Sequence, residues 1–188
     1  MINMNKFVDV LRRLWYDIKT HNNKVINMYS AIDVARYVVN YANCHDMMVS
    51  NLKLQKILYF IQLNFLMRNP NSPCFSDDIE AWPFGPVIPE VYHEFKRYGS
   101  LSIPPVIEYY DTSNGIWNTK KVPYKTKMTL EDQELVNDVV ITCEEYSASD
   151  LVAITHHQSP WIKARKSYNH IISIESMQEF IVSSSHKQ

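Results

Sequence analysis

Apolar residues fall on two opposite sides of the stretch from Asn51 to Arg68 when it is drawn as a helix with about 100° per residue. The wider arc holds Leu54, Ile57, Leu58, Ile61 and Phe65, and the opposite arc holds Leu52, Tyr59, Leu63 and Leu66. A helix on a protein surface has one apolar side. We therefore predict that residues 51–67 form a central helix that is buried on both sides.

Two narrow polar strips separate these arcs, one with Gln55 and Gln62 and the other with Lys53, Lys56 and Asn64. Apolar packing gives Lys53, Gln55 and Lys56 no role. We expect at least one of them to hydrogen-bond to residues 82–87 or to line a groove beside them. If the Lys53 strip faces only solvent, replacing Lys53 is expected to cost little stability.

Periodicity and capping residues predict further helices on both sides of the central one. Capped helices are predicted at 31–42 (Ser30), 130–143 (Thr129), 148–154 (Ser147) and 161–168 (Ser159, with Pro160 following), and Ser50 is expected to cap the central helix. Other helices are predicted at 5–19, 90–98 and 174–182, with Gly99 ending the second and a frayed tail after the last.

Short β elements interrupt this helical pattern. Residues 79–82 predict a strand, and the three prolines and one glycine of Pro83–Pro89 predict a rigid corner before a helix. Two β-rich runs, 106–110 and 116–122, flank Asn114 and Gly115 and predict a hairpin. The predicted class is mainly α (α+β), a single helical domain with a small β-hairpin or sheet.

Composition and charge narrow the function. With 19 Lys+Arg against 20 Asp+Glu and no dense basic run, nucleic-acid binding is not expected. No run of about 18 apolar residues predicts a membrane span. Charges inside the apolar part of the N-terminus argue against a secretory signal. We expect a cytoplasmic protein without membrane association.

The chain lacks the residue spacing of known catalytic and cofactor sites. Its three cysteines form no CxxC pair, and neither GxSxG nor a glycine-rich phosphate loop occurs. His93-Glu94 lacks the second histidine of HExxH because position 97 is Arg. We predict no enzyme activity, cofactor or metal, and a metal-dependent hydrolase using His93, His156 and Cys143 is the least favoured alternative.

The chain is rich in the aromatic residues that anchor protein interfaces, with 12 Tyr and 4 Trp. Two stiff connections, 82–89 and 155–161, read either as structural corners or as binding loops. The candidate partner-binding or motif residues are Lys53, Gln55, Lys56, Tyr59, Trp82, Phe84, Gly85, Pro86, Val87, Tyr92, His156 and Trp161. A candidate N-terminal interaction helix presents Phe7, Leu11, Leu14 and Trp15.

Several short blocks occur in a family-specific order: 30–37 (SAIDVARY), 52–59 (LKLQKILY), 79–82 (IEAW), 85–92 (GPVIPEVY), 151–156 (LVAITH) and 159–161 (SPW). Together they resemble the Panacea antitoxin domain (SocA-like, of the phage-associated GepA type) between about residues 28 and 165. The resemblance implies three parts: an N-terminal helix and linker outside the domain (1–28), the domain (29–168), and a C-terminal helix with its tail (169–188).

The resemblance also implies a function. It points to an antitoxin of a bacterial or prophage toxin–antitoxin system that neutralises its toxin by direct binding. A ClpXP-type protease is implied as a second partner, because a related member is described as an adaptor for such a machine. An alternative from another class is a phage-encoded protein that binds a host defence or proteolysis factor. The family pairs with many unrelated toxins, so the resemblance does not name the toxin.

Overall fold

The computed structural model describes residues 28–111 and 115–185. The α-helices in these ranges are α1 Ala31–Cys44, α2 Asn51–Arg68, α3 Pro89–Phe95, α4 Leu130–Glu144, α5 Ala148–His156, α6 Ser159–Lys166 and α7 Ile174–Ser185. The strands are β1 Glu80–Trp82, β2 Gly85–Val87, β3 Glu108–Asp111 and β4 Lys120–Pro123, and they form two separate antiparallel pairs. The predicted mainly helical α+β class is confirmed. The predicted helix at 5–19 lies outside the described residues.

The central position of α2 is confirmed. Every side chain from Lys53 to Leu66 is buried, as is Asn51. Both apolar arcs reach the core, since Leu54 on one side is 0% exposed and Leu63 on the other is 2% exposed. Helices α1, α3, α4, α5 and α7 and strand β2 all contact α2. These elements therefore pack around α2.

Most of the predicted caps are also confirmed. Ser50 accepts a hydrogen bond from the Lys53 amide, and Thr129 accepts one from Asp132. Such caps satisfy amides that have no partner inside the helix. The prediction for Ser159 was wrong. Helix α6 begins at Ser159, and Gln158 is its N-cap residue without a side-chain cap bond.

The predicted rigid corner after the 79–82 strand is in fact the second half of a β-hairpin. Trp82 pairs with Gly85 and Ala81 pairs with Pro86, which leaves Pro83 and Phe84 as the turn. Pro86 has no N–H to donate, and the carbonyl of the opposing Ala81 accepts instead from Arg165 at 3.1 Å. The Ala81 N–H also bonds outside the hairpin, to the His170 carbonyl at 2.8 Å. The prolines obscured this strand in the sequence, because proline has no amide to donate to a neighbouring strand and is uncommon within strands.

The second predicted hairpin pairs as expected, but its strands are shorter. Val106 is not part of β3, because Asn40 bonds both its N–H and its carbonyl at 2.7 and 2.9 Å. Residues Ile116–Asn118 form a 3-10 turn instead of the start of β4. Of the predicted Asn-Gly turn, Asn114 lies outside the described residues.

Several helix ends differ from the predicted ones. Helix α3 stops at Phe95, and a 3-10 turn, Lys96–Tyr98, leads to Gly99 with a φ of 55°. Helix α6 ends at Lys166, before the predicted Tyr168. Helix α7 continues to Ser185, beyond the predicted end at residue 182 and into the predicted frayed tail. None of the described helices is long and apolar enough to cross a membrane.

Candidate functional site

The β1–β2 hairpin rests on polar side chains of α2. Lys56 Nζ donates to the Pro86 carbonyl at 2.9 Å, and the Ile88 amide donates to Gln55 Oε1 at 2.9 Å. Both acceptor and donor lie at the end of the hairpin where β2 leads into α3. The expectation that at least one of Lys53, Gln55 and Lys56 binds this region is confirmed.

A chain of side-chain amides extends this support to α3. Gln55 Nε2 donates to Asn51 Oδ1 at 3.2 Å, and Asn51 Nδ2 donates to the Tyr92 carbonyl at 3.2 Å. Both side chains are nearly inaccessible, Gln55 at 1% and Asn51 at 4% exposed. Buried amides hold a backbone firmly because breaking their bonds leaves polar groups unpaired. Polar side chains of α2, Lys56 from one strip and Gln55 from the other, thus position both the hairpin and the helix that follows it.

Gly85 allows the hairpin to lie close to α2. Its φ is 94°, a value that residues with a side chain rarely adopt. A Cβ at this position would come within 2.7 Å of Lys56 Cε and 2.8 Å of Thr155 Oγ1. The glycine is therefore required both by the backbone conformation and by the space that Lys56 and Thr155 occupy.

The α5–α6 corner holds the other side of the hairpin. Trp161 Nε1 donates to the Trp82 carbonyl at 3.1 Å, and an Arg165 nitrogen donates to the Ala81 carbonyl at 3.1 Å. Beneath them, the Tyr59 hydroxyl of α2 donates to Gln158 Oε1 at 2.8 Å. The connection 155–161 thus closes the core and braces the hairpin at the same time.

A partly exposed aromatic rim surrounds the tip of the hairpin. Trp82 meets Tyr92 edge to face, with ring centres 4.9 Å apart, and His156 stacks on Trp161 at 4.0 Å. Phe84 projects from the turn and is 69% exposed. We call this set the hairpin-tip surface: Trp82, Phe84, Tyr92, His156 and Trp161.

The groups beneath the hairpin have unusual protonation properties. Lys56 is 0% exposed, and burial lowers its pKa from 10.5 to about 7. Burial lowers the pKa of His156, and the charge of Lys56 adds to this shift. Burial raises the pKa of Tyr59, which stays protonated and donates to Gln158.

The candidate residues separate into a buried and an exposed group. The buried residues are Lys53, Gln55, Lys56, Tyr59, Gly85, Pro86 and Val87. Lys53, Gln55, Lys56 and Tyr59 lie on α2, whereas Gly85, Pro86 and Val87 form β2. The solvent-facing interpretation of Lys53 was wrong, since Lys53 is 7% exposed and its Nζ pairs with Glu144 at 2.8 Å. Phe7, Leu11, Leu14 and Trp15 lie outside the described residues.

Three residues that support the hairpin or α3 were not among the candidates chosen from the sequence. Asn51, Thr155 and Arg165 each touch the hairpin or the helix after it. The only sequence signal was weak: Asn51 and Thr155 are polar residues at positions that face the core. Arg165 carried none, because its acceptor is a backbone carbonyl of a distant strand.

The described part of the chain contains no cluster of three or more His, Cys, Asp or Glu side chains that could hold a metal ion. The combination of His93, His156 and Cys143 is therefore not brought together. Cys44, Cys74 and Cys143 are free thiols, and the latter two are buried.

Comparison with known proteins gives two matches. The profile of the family described as "Antitoxin SocA-like, Panacea domain" matches residues 54–162. A relative, Antitoxin SocA of Caulobacter vibrioides (strain NA1000 / CB15N), is 34% identical over 132 residues, which cover 68% of this chain and 66% of the relative. No solved structure gives a significant match.

The matched region contains the elements that build the hairpin-tip surface. It starts at Leu54 in α2, runs through the hairpin, and ends at Ile162 in α6. The predicted resemblance is confirmed by a match over more than half of the chain. The chain belongs to the SocA-like antitoxin family that is defined by the Panacea domain.

Proposed function

We propose that this protein is an antitoxin that neutralises a toxin protein in the cytoplasm by direct binding, and that the hairpin-tip surface makes the contact. Family membership supports the class of function. The observation that supports this location is Phe84, a large apolar side chain that is 69% exposed at the turn of a hairpin held by Lys56 and Trp161.

The bracing is what makes Phe84 a good anchor. Backbone carbonyls of the hairpin accept hydrogen bonds from Lys56 on α2 and from Trp161 and Arg165 on α6. A loop held in this way loses little conformational freedom when a partner binds, so more of the contact energy appears as affinity. A rigid aromatic anchor inside a partly buried aromatic rim is the usual composition of an interface hot spot.

The chemistry beneath the surface supports binding over catalysis. Lys56 and Tyr59 are fully buried behind the hairpin, where no substrate reaches them. Lys56 bonds to Pro86 in β2, and Tyr59 bonds to Gln158 in the connection between α5 and α6, so both bonds hold elements of the fold in place. The most perturbed groups near the site therefore act on the conformation of the hairpin.

The test is co-expression with the product of the neighbouring open reading frame. We expect that product to be toxic alone, to be neutralised by this chain, and to co-purify with it. Phe84→Ala should weaken binding at least about tenfold, as loss of a hot-spot aromatic does. Trp117→Ala, an aromatic that is 98% exposed beside the second hairpin, is the matched control and should bind normally.

The outcomes separate the alternatives. The antitoxin function is contradicted if the neighbouring gene product is harmless when expressed alone, or if this chain neither binds nor neutralises it. Normal binding by Phe84→Ala with loss in Trp117→Ala would move the surface to the second hairpin. Disappearance of the toxin only in cells with an active ClpXP-type protease would show delivery to proteolysis, and a stable complex would show neutralisation by binding alone.

A further inference from the structure

Lys56 is a buried amine with no acid to neutralise it. Its side chain is 0% exposed, and its recorded hydrogen bond goes to the Pro86 carbonyl at 2.9 Å. In the described part of the chain it forms no ion pair. A single carbonyl does not offset the lost hydration of a full ammonium charge. The closed hairpin therefore favours the neutral amine.

Two acidic groups, one on the hairpin and one on α4, have other partners. On the hairpin itself, the Glu80 carboxylate accepts a bond from Trp82 Nε1 at 2.6 Å. On α4, the Glu144 carboxylate pairs with Lys53 Nζ at 2.8 Å. Lys53 lies one turn before Lys56 along α2. Neither acid contributes to the pKa of Lys56.

The remaining titratable groups oppose a charge on Lys56 or leave it unchanged. His156, on α5, interacts electrostatically with Lys56, and its Nε2 is buried without a hydrogen-bond partner. His157 and Arg165 add positive charge that lowers the pKa of His156 further. Tyr59 on α2 stays neutral. Protonation of Lys56 would therefore place a positive charge among neutral and basic side chains, with no carboxylate to offset it.

We propose that closure of the β1–β2 hairpin over α2 expels the proton of Lys56 to water, which makes Lys56 a positioning residue that controls how firmly the Phe84 tip is presented. The neutral amine keeps an N–H to donate to Pro86. This inference rests on the proposed function only for the claim that a partner binds the tip. The proton-linked closure is a property of this chain alone.

The direction of the pH dependence follows from the two states. In the open hairpin the hydrated amine has its ordinary pKa of 10.5, and in the closed hairpin its pKa is about 7. Between these values the open form holds one more proton, so raising the pH favours closure. The closed-to-open ratio rises by about tenfold per pH unit in this window and becomes independent of pH below it.

Hydrogen exchange of the Ile88 amide measures the opening, since this amide donates to Gln55 Oε1 at 2.9 Å at the base of the hairpin. In the full chain we expect its protection factor to rise about tenfold from about pH 7.5 to about pH 8.5. The internal comparison is the Cys74 amide, which donates to another buried glutamine, Gln62, at 2.9 Å. Equal protection and equal pH dependence at both amides would show global unfolding and overturn the inference.

Two variants on the same helix test the role of Lys56. Lys56→Met keeps the apolar stem and removes the titrating amine, so the pH dependence at Ile88 should disappear. Lys53→Met is the matched control, because Lys53 is also buried but has Glu144 as its partner, and it should retain the pH dependence. Persistence of the dependence in Lys56→Met, or its loss in Lys53→Met, would contradict the inference.

A direct titration covers the case in which Lys56→Met does not fold. The Lys56 Cε chemical shift of the native chain should titrate with a midpoint near pH 7, and a midpoint near pH 10.5 would overturn the inference. Binding of the neighbouring gene product at about pH 8.5 is measured separately. Absence of binding contradicts the proposed function, whereas a flat Ile88 profile contradicts only the proton-linked closure.

Discussion

Lys53 and Lys56 lie one turn apart on α2 and are both buried, yet they are held by opposite chemistry. Lys53 Nζ pairs with the Glu144 carboxylate at 2.8 Å, whereas Lys56 Nζ donates to the uncharged Pro86 carbonyl at 2.9 Å. The first lysine joins α2 to α4, and the second joins α2 to the hairpin. This difference makes one lysine an ordinary ion pair and the other a group whose charge opposes the folded state.

The unfolding free energy should therefore depend on pH through Lys56. Its folded pKa of about 7 is lower than the ordinary 10.5, so the unfolded chain binds more protons between these values and stability rises as the pH increases from about 7 to about 10.5. Urea denaturation at several pH values measures the rise. Lys56→Met should flatten it, and an unchanged rise in that variant would assign the effect to other groups.

Gly85→Ala should destabilise the protein by about 1–3 kcal/mol from backbone strain, with a further loss from contact with Lys56 and Thr155. Gly115→Ala is the matched control. It has a similar φ of 88° but open space around its missing Cβ. Thermal or urea unfolding measures the loss of stability in each variant, and the difference between the two losses gives the cost of the contact with Lys56 and Thr155. Equal losses would mean that the hairpin moves away from these side chains without a cost in stability.

Truncation of the core of α2 should cost much more than truncation on the surface. Ile61→Ala or Phe65→Ala, both 0% exposed, should lower the unfolding free energy by about 2–5 kcal/mol because each leaves a cavity. Leu130→Ala, at 77% exposed, should change it by less than about 0.5 kcal/mol. Chemical denaturation of the three variants provides the comparison, and a small loss at Phe65 would contradict the central position of α2.

Lys53→Ala is now expected to cost about 1–3 kcal/mol, since it removes a charged hydrogen bond from a buried position. Lys163→Ala serves as the control, because its ion pair with Glu179 is exposed on both sides and should contribute less than about 1 kcal/mol. Both are measured by urea denaturation. A negligible loss of stability in Lys53→Ala would mean that the ion pair with Glu144 contributes little and that Lys53 behaves as a solvent-facing side chain.

Local patterns predicted the helical framework because they are local in origin. The two apolar arcs of α2 required burial on both sides whatever the neighbours were, and Leu54 and Leu63 are both buried. Caps such as Ser50 act within three residues of their own position. The order of the family blocks was likewise readable from the sequence, and the family match confirms it.

Predictions failed where a residue had a choice of partner. Gln158 became the N-cap residue of α6 while its side chain accepts a bond from Tyr59, 99 positions away. Val106 left β3 because Asn40, 66 positions away, bonds both of its backbone groups. Sequence patterns carry no information on such competition, because it depends on which groups the fold brings within hydrogen-bond distance.

The sequence by itself determined the central helix, most of its neighbours and the family to which the chain belongs. Tertiary structure alone decided what the polar strip of α2 does. Lys53 meets an acid 91 positions away, and Lys56 meets a carbonyl 30 positions away. The two lysines look alike in the sequence, but whether a buried lysine stabilises the fold as a charge or only as a neutral amine depends on the group that the fold places opposite it.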